Sequence, residues 1–353
     1  METRLMHSPR PDLQNRRSGL FSAAMKTIPC LLLLLTSFAV AVDPLPEFKG
    51  SIERLDPALD SLLTKDAKIE VLASGFNWSE GPVWRNGGIE FSDVPENTVF
   101  GWKEGEKAAS VVLKPSGNLS GDGGQGSNGL ALDAAGNLIL CQHGERRIAR
   151  LEKDGSFTNL ADKYQGKRFN SPNDLVISKN GTIFFTDPPY GMKKGTTPDA
   201  PYHGVYALQS SAKGTAKLLI NDVKWPNGIA LSPDEKTLYI AVSDKDDTRI
   251  LAYNLKLGAS PSISDGRVLF NAQPLKSPER KGGCDGLKVD TQGNIWTSGP
   301  GGILIISPQG KHLGTILTGQ ATANCAWGGP EKDTLYITAD MFLLRVKTAV
   351  KGL

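Results

Sequence analysis

The sequence has little of the chemistry that marks thiol or zinc proteins: 4 cysteines and 4 histidines in 353 residues. No His or Cys pairs fall at zinc-ligand spacing, which argues against a structural zinc site. Charge of one sign is also missing. Lysine and arginine total 40 against 37 aspartates and glutamates, and the resulting +3 supplies no global field for nucleic acid or an anionic membrane. Nucleic acid is therefore not an expected partner. What the chain has in quantity is punctuation, 39 Gly and 22 Pro. That composition suits many short strands joined by turns better than long helices, and predicts a mostly β protein.

The N-terminal region stands apart. From Met25 it reads MKTIPCLLLLLTSFAVAVD, with a basic residue, an apolar run over Ile28–Leu35 and small residues at Ala39, Val40 and Ala41. The run is shorter than the roughly 20 residues of a bilayer span, and the pattern predicts a signal peptide over 1–41 with cleavage after Ala41. Residues before Met25 read as an extended n-region or as the product of a spurious upstream start. The expected product is exported, periplasmic or extracellular, with no stable membrane insertion. A polar, Pro-containing leader over 42–66 follows. Cleavage leaves Cys141, Cys284 and Cys325, an odd number that excludes a full disulfide framework and predicts buried free thiols.

The rest of the chain repeats one pattern six times. In the fullest copy, RFNSPNDLVISKNGTIFFTDPPYG at Arg168–Gly191, Asn173 precedes an apolar strand, a polar turn at Lys179–Gly181 and a second strand from Ile183. Weaker copies carry Glu80, Asn128, Asn227, Asp285 and Asn324 at the equivalent position. From Glu80 onward the six markers are separated by 48, 45, 54, 58 and 39 residues, by subtraction. Strand repeats of about 40–50 residues signify propeller blades. A third strand follows the pairs, as at Phe100–Trp102, Ile148–Leu151, Val205–Leu208, Ile250–Tyr253 and Ile303–Ile306, and then a short fourth. A four-stranded blade cannot bury both faces alone, so six must pack radially around a channel. The expected fold is all-β: a single six-bladed β-propeller over 67–353, with Ile69–Leu72 completing the last blade and closing the ring.

Each marker begins the channel-lining strand of its blade, so two carboxylates and four amides would converge on one funnel. Oxygen donors of that mix suit a hard divalent cation, Ca²⁺ first, with Zn²⁺, Mn²⁺ or Mg²⁺ also compatible. One copy alone is ordinary turn chemistry; the alignment of six is what points to a site. His143, and Tyr190 on the stiff DPPYG loop, are expected to line the pocket with Asn128 and contact a substrate. Asp174 is expected to hydrogen-bond a ligand side chain, and Asn324 and Cys325 to pack near the channel.

SEGPVW, SPNDL, PNGIALSPD and CDGL, in that order, resemble the gluconolactonase, senescence marker protein and luciferin-regenerating enzyme family. QHGERRIARLEKDG, with NSPNDL and TDPPYG, is most similar to its bacterial gluconolactonase branch. The resemblance implies one catalytic divalent cation held by Glu80, Asn173, Asn227 and Asp285, with Asp285 as general base and a small-molecule lactone as substrate. It places a sugar-contacting arginine of the animal members at Ser171, with Arg168 the nearest arginine here. A phosphotriesterase-like hydrolase on the same site, and a non-enzymatic binding scaffold with a structural metal, are the other readings.

Overall fold

Turn chemistry sets the strand lengths. Asp133 accepts the N–H of Ala135 and of Asn137 and the Asn137 side-chain amide, closing a tight reversal between two strands. The same Asp-x-x-Gly-Asn turn recurs at Asp290–Asn294, where Asp290 also accepts the indole N–H of Trp296. The computed structural model describes residues 47–122, 124–209 and 215–353. The expected signal peptide and the first residues of the expected leader lie outside the described residues. Among the described residues no helix is long and apolar enough to cross a membrane.

Six antiparallel sheets, each built from four strands that are consecutive around the ring, form a six-bladed β-propeller. The innermost strands are Ser79–Arg85, Ser127–Leu132, Leu175–Ile177, Pro226–Leu231, Leu287–Val289 and Thr322–Gly328. Each touches the innermost strand of the next blade, and the sixth returns to the first. An apolar cluster fills every interface between neighbouring blades. Ile229, Leu238 and Ile240 of blade four pack on Phe184, Val205 and Ala207 of blade three, for example, and Val99 of blade one packs on Leu130, Leu138 and Leu140 of blade two. Burial of this kind is worth about 1.5–3 kcal/mol per large side chain, and it leaves the polar residues of the innermost strands to the channel. Cys141, Cys284 and Cys325 are free and buried, as expected.

The ring closes as the sequence predicts. Ile69–Ser74 pairs antiparallel with Phe342–Lys347, with Ile69 opposite Val346 and Ser74 opposite Phe342. A second addition was not foreseen. Ser51–Arg54 lies along His312–Leu317 as a fifth strand on blade five. After it a short 3-10 helix, Pro57–Ser61, begins at Asp56, whose carboxylate accepts the Ala58 N–H at 2.8 Å. Leu59, Leu62 and Leu63 are buried with the cluster that joins blades five and six. Arg54 ties the segment together by donating to Asp60 at 2.7 Å and to the Leu63 carbonyl at 2.9 Å. Much of the stretch expected as a leader is thus built into the ring.

Candidate functional site

The markers owe their direction to the backbone. The strand register slips between Glu80 and Val83, Ser127 and Leu130, Pro226 and Ile229, and Thr322 and Asn324. A bulge of this kind breaks the sheet's alternation and re-aims a side chain. The loops before Glu80 and Asn173 are pinned alike: Asp93 accepts the N–H of Asn77 and Trp78 at 3.0 and 3.2 Å, and Asp187 those of Asn170 and Ser171 at 2.8 and 2.9 Å. Neighbouring blades then lock at the markers themselves. Gly129 donates its N–H to the Asn173 carbonyl at 2.8 Å, and Gly228 to the Asp285 carbonyl at 3.1 Å. A Cβ on Gly228 would stand 2.2 Å from that carbonyl oxygen, so the Asn-Gly sequence is what permits the approach.

Glu80, Asn128, Asn173, Asn227 and Asp285 border one cavity of about 320 Å³ at the end of the channel where their strands begin, and His143 and Tyr190 stand on its wall. Asn324 does not border it but lies beneath. Its Nδ2 faces Glu80 Oε2 at 3.4 Å and Asp174 Oδ2 at 3.3 Å, and its Oδ1 accepts from Lys288 Nζ at 3.2 Å. Lys288 Nζ is also 3.9 Å from Asp174 Oδ2. Asp174 therefore touches the partner of Glu80 rather than Glu80 itself. Lys288 was missed by sequence reasoning, although a lysine in the CDGLKVD channel strand is a readable signal.

Electrostatics sharpen the picture. Burial, then the charge of Asp174, pushes Glu80 up to about 7. Burial, with the charges of Glu80 and Asp174, pushes Asp285 well above the usual carboxylate range. Three carboxylates against the one ammonium of Lys288 leave two negative charges (3 − 1) in the channel when all are ionised. The Oδ1 atoms of Asn128, Asn173 and Asp285 are buried without a hydrogen-bond partner, a costly condition unless a ligand meets them. Unpaired oxygen donors, beside carboxylates whose mutual repulsion a cation would relieve, fit a hard divalent cation. Among the described residues no group of three or more His, Cys, Asp or Glu is arranged to hold a metal, so an occupant of this cavity must take amide oxygens as well as the carboxylates.

The remaining wall is organised by the DPPYG loop. Ser171 Oγ donates to the Pro188 carbonyl at 2.6 Å and accepts the Gly191 N–H at 2.8 Å, fastening the loop. The Tyr190 ring stacks on Trp225 with centroids 5.0 Å apart, and its hydroxyl meets Ser243 Oγ, which also accepts from Asn227 Nδ2 at 3.3 Å. Trp225 is held at φ 53, a strained conformation for a bulky residue, with its N–H donated to His203 Nδ1 at 2.9 Å. Ser171 is thus a fastener, Arg168 donates outward to the Glu145 carbonyl at 3.0 Å, and neither borders the cavity. Gln125, Trp78 and Ser243, also on the wall, carried no repeat signal that could have found them.

Fold and site together define a six-bladed propeller with an acid-and-amide funnel at one end of its channel. The family model for the SMP-30/Gluconolactonase/LRE-like region matches residues 78–340, and the chain belongs to that family. A gluconolactonase of Zymomonas mobilis is 37% identical over 356 residues, covering 96% of this chain and 98% of its own length. Among solved structures, a gluconolactonase of Xanthomonas campestris is 31% identical with a TM-score of 0.74, over 87% of this chain and 99% of that one. A regucalcin of Agrobacterium tumefaciens, described as a calcium-binding protein, shares the fold with a TM-score of 0.63 at 19% identity, over 81% and 97% of the two chains.

Proposed function

We propose that the protein is an exported lactone hydrolase working with one divalent cation, Ca²⁺ in the first instance, held by Glu80, Asn173, Asn227 and Asp285. The observation that carries this reading is the convergence of unpartnered Asn173 and Asp285 oxygens on one cavity that Glu80 and Asn227 also border. The gluconolactonase relatives, matched over nearly their whole length, support a lactone as substrate. When bound, such a cation supplies Lewis acidity at a carbonyl oxygen. Asp285, whose Oδ1 has no protein partner, accepts the proton of the attacking water. The water oxygen bonds to the lactone carbonyl carbon, the ring C–O bond breaks, and the proton ends on the released hydroxyl. Asn128, His143 and Tyr190 contact the substrate, while Trp78, Val94 and Pro95 give the cavity an apolar wall that limits water. Export is supported by the Met25–Ala41 pattern, and fractionation of producing cells tests it.

The deciding experiment is a hydrolysis panel of glucono-1,5-lactone, small aliphatic lactones and an organophosphate ester, with and without chelator, with elemental analysis of protein purified without added metal. Lactone turnover lost in chelator is the expected result. Turnover of the organophosphate alone moves the reading to a phosphotriesterase. Turnover of none, with Asp285→Ala folded and binding metal as before, sinks the enzymatic reading.

A further inference from the structure

His143 follows the second strand of blade two, Leu138–Gln142, and its ring is fixed from several sides. Its backbone N–H donates to the Gly126 carbonyl at 3.0 Å. Its Nδ1 lies 3.0 Å from Gln125 Oε1. Gly191 presses so closely that a Cβ there would come within 2.2 Å of the ring Cγ. An amide oxygen can only accept, so Nδ1 carries the ring proton and Nε2 of the neutral imidazole is a bare lone pair. That Nε2 is buried and no protein donor reaches it. Burial holds the ring pKa at about 3, which keeps the lone pair free at any ordinary working pH. Asn128 Oδ1 is a second buried acceptor without a donor on the same cavity. Neither atom belongs to the proposed cation ligands, and no lysine or arginine is among the described residues of the wall.

We propose that His143 Nε2 reads a hydroxyl group of the substrate, accepting its O–H, so that the site selects neutral polyhydroxylated lactones over unsubstituted lactones of the same ring size. The inference rests on the lactone-hydrolase reading above. A buried acceptor built to face an O–H discriminates strongly against an analogue that lacks it, because the analogue leaves the acceptor unpaired. Gln125 is the positioning residue: by accepting the Nδ1 proton it fixes the ring orientation and the tautomer in which Nε2 accepts.

The test compares kcat/KM for glucono-1,5-lactone with that for δ-valerolactone, the same six-membered ring without hydroxyls, in the wild type, His143→Phe, His143→Gln and Gln125→Leu. Calorimetry on the same proteins measures binding of 1,5-anhydroglucitol, which has ring hydroxyls and no lactone. His143→Phe lowers the ratio of the two kcat/KM values at least about tenfold, His143→Gln recovers part of it through its amide oxygen, and Gln125→Leu lowers it by less. Anhydroglucitol affinity falls in the same order. If His143→Phe does not fold, Gln125→Leu carries the comparison. A ratio unchanged in the folded variants, or anhydroglucitol binding that is absent from the wild type or undiminished in the variants, overturns the proposal. A wild type that hydrolyses neither lactone yet loses anhydroglucitol affinity in His143→Phe overturns the hydrolase reading and leaves the hydroxyl contact standing.

Discussion

Two cavities among the described residues are of opposite character. The crevice between blades two and three, bordered by Ile139, Thr158, Leu160, Ile177 and Ile183, encloses about 700 Å³, against about 320 Å³ at the channel end. None of the described residues bordering the larger one carries a buried side-chain atom without a partner. At the smaller one, Asn128, Asn173, Asp285 and His143 all do. The crevice lies between two sheets, and the polar residues on its walls, Asp133, Arg150 and Asn159 among them, leave no buried side-chain atom without a partner. The channel end was left incomplete by the fold itself, and a ligand would finish it. Size would choose the first cavity, and unmet bonding chooses the second.

The comparison can be broken most decisively at Asp285. Asp285→Ala should lower kcat/KM for lactone by about 10²–10⁴, measured by steady-state kinetics. Its melting temperature in chelator should not drop, since the change removes one of the buried carboxylates that repel each other. A variant that loses activity only because it melts early would return the residue to a purely structural role.

A middle-sized effect concerns acid. The imidazole of His143 has an ordinary pKa near 6.5 when unfolded and about 3 when folded. The depressed folded value means that stability is fully present above pH 6.5 and is lost as pH falls towards 3, because the unfolded chain takes up the proton first. The loss attributable to this ring is about 2 kcal/mol at pH 5. Denaturant titrations of the wild type and His143→Gln should diverge by that amount between pH 7 and pH 5; equal slopes would mean that the ring is hydrated in the folded state. The smallest effect belongs to the crevice. Thr158→Lys should change lactone turnover less than about twofold and stability by about 0.5 kcal/mol or less, and a large loss of turnover there would reverse the contrast between the two cavities.

The ring was legible because its signal is local. A strand, a turn and a strand leave the same imprint at each marker, so Glu80, Asn128, Asn173, Asn227, Asp285 and Asn324 could be aligned before any contact between them was known. What lies beneath the markers was not legible. The Asn324 contact to Glu80 joins residues 244 apart, and the Lys288 bond to Asn324 crosses from blade five to blade six; no periodicity encodes either. Gln125 sits in a glycine-rich loop that belongs to no repeat. Leu59, Leu62 and Leu63 were hidden by the polar average of their stretch, though three leucines after Pro57 are enough to anchor a short helix against two blades. Ser171, standing where the animal members carry an arginine, holds the DPPYG loop in position, a contact between distant residues that no local pattern encodes.

Ring closure by Ile69–Ser74 on Phe342–Lys347 carries a consequence for how the protein comes into being. During vectorial synthesis Ile69–Ser74 must wait, unpaired, until Phe342–Lys347 emerges, and an exposed strand edge is open to pairing with another chain in that interval. The innermost strands of blades one and six, Ser79–Arg85 and Thr322–Gly328, meet across that same seam, and so do Glu80 and Asn324. Glu80 therefore gains the contact beneath it only when that seam closes. A chain stopped short of its final blade would be left with a half-furnished funnel, and activity doubles as a certificate that the whole length was made and sealed.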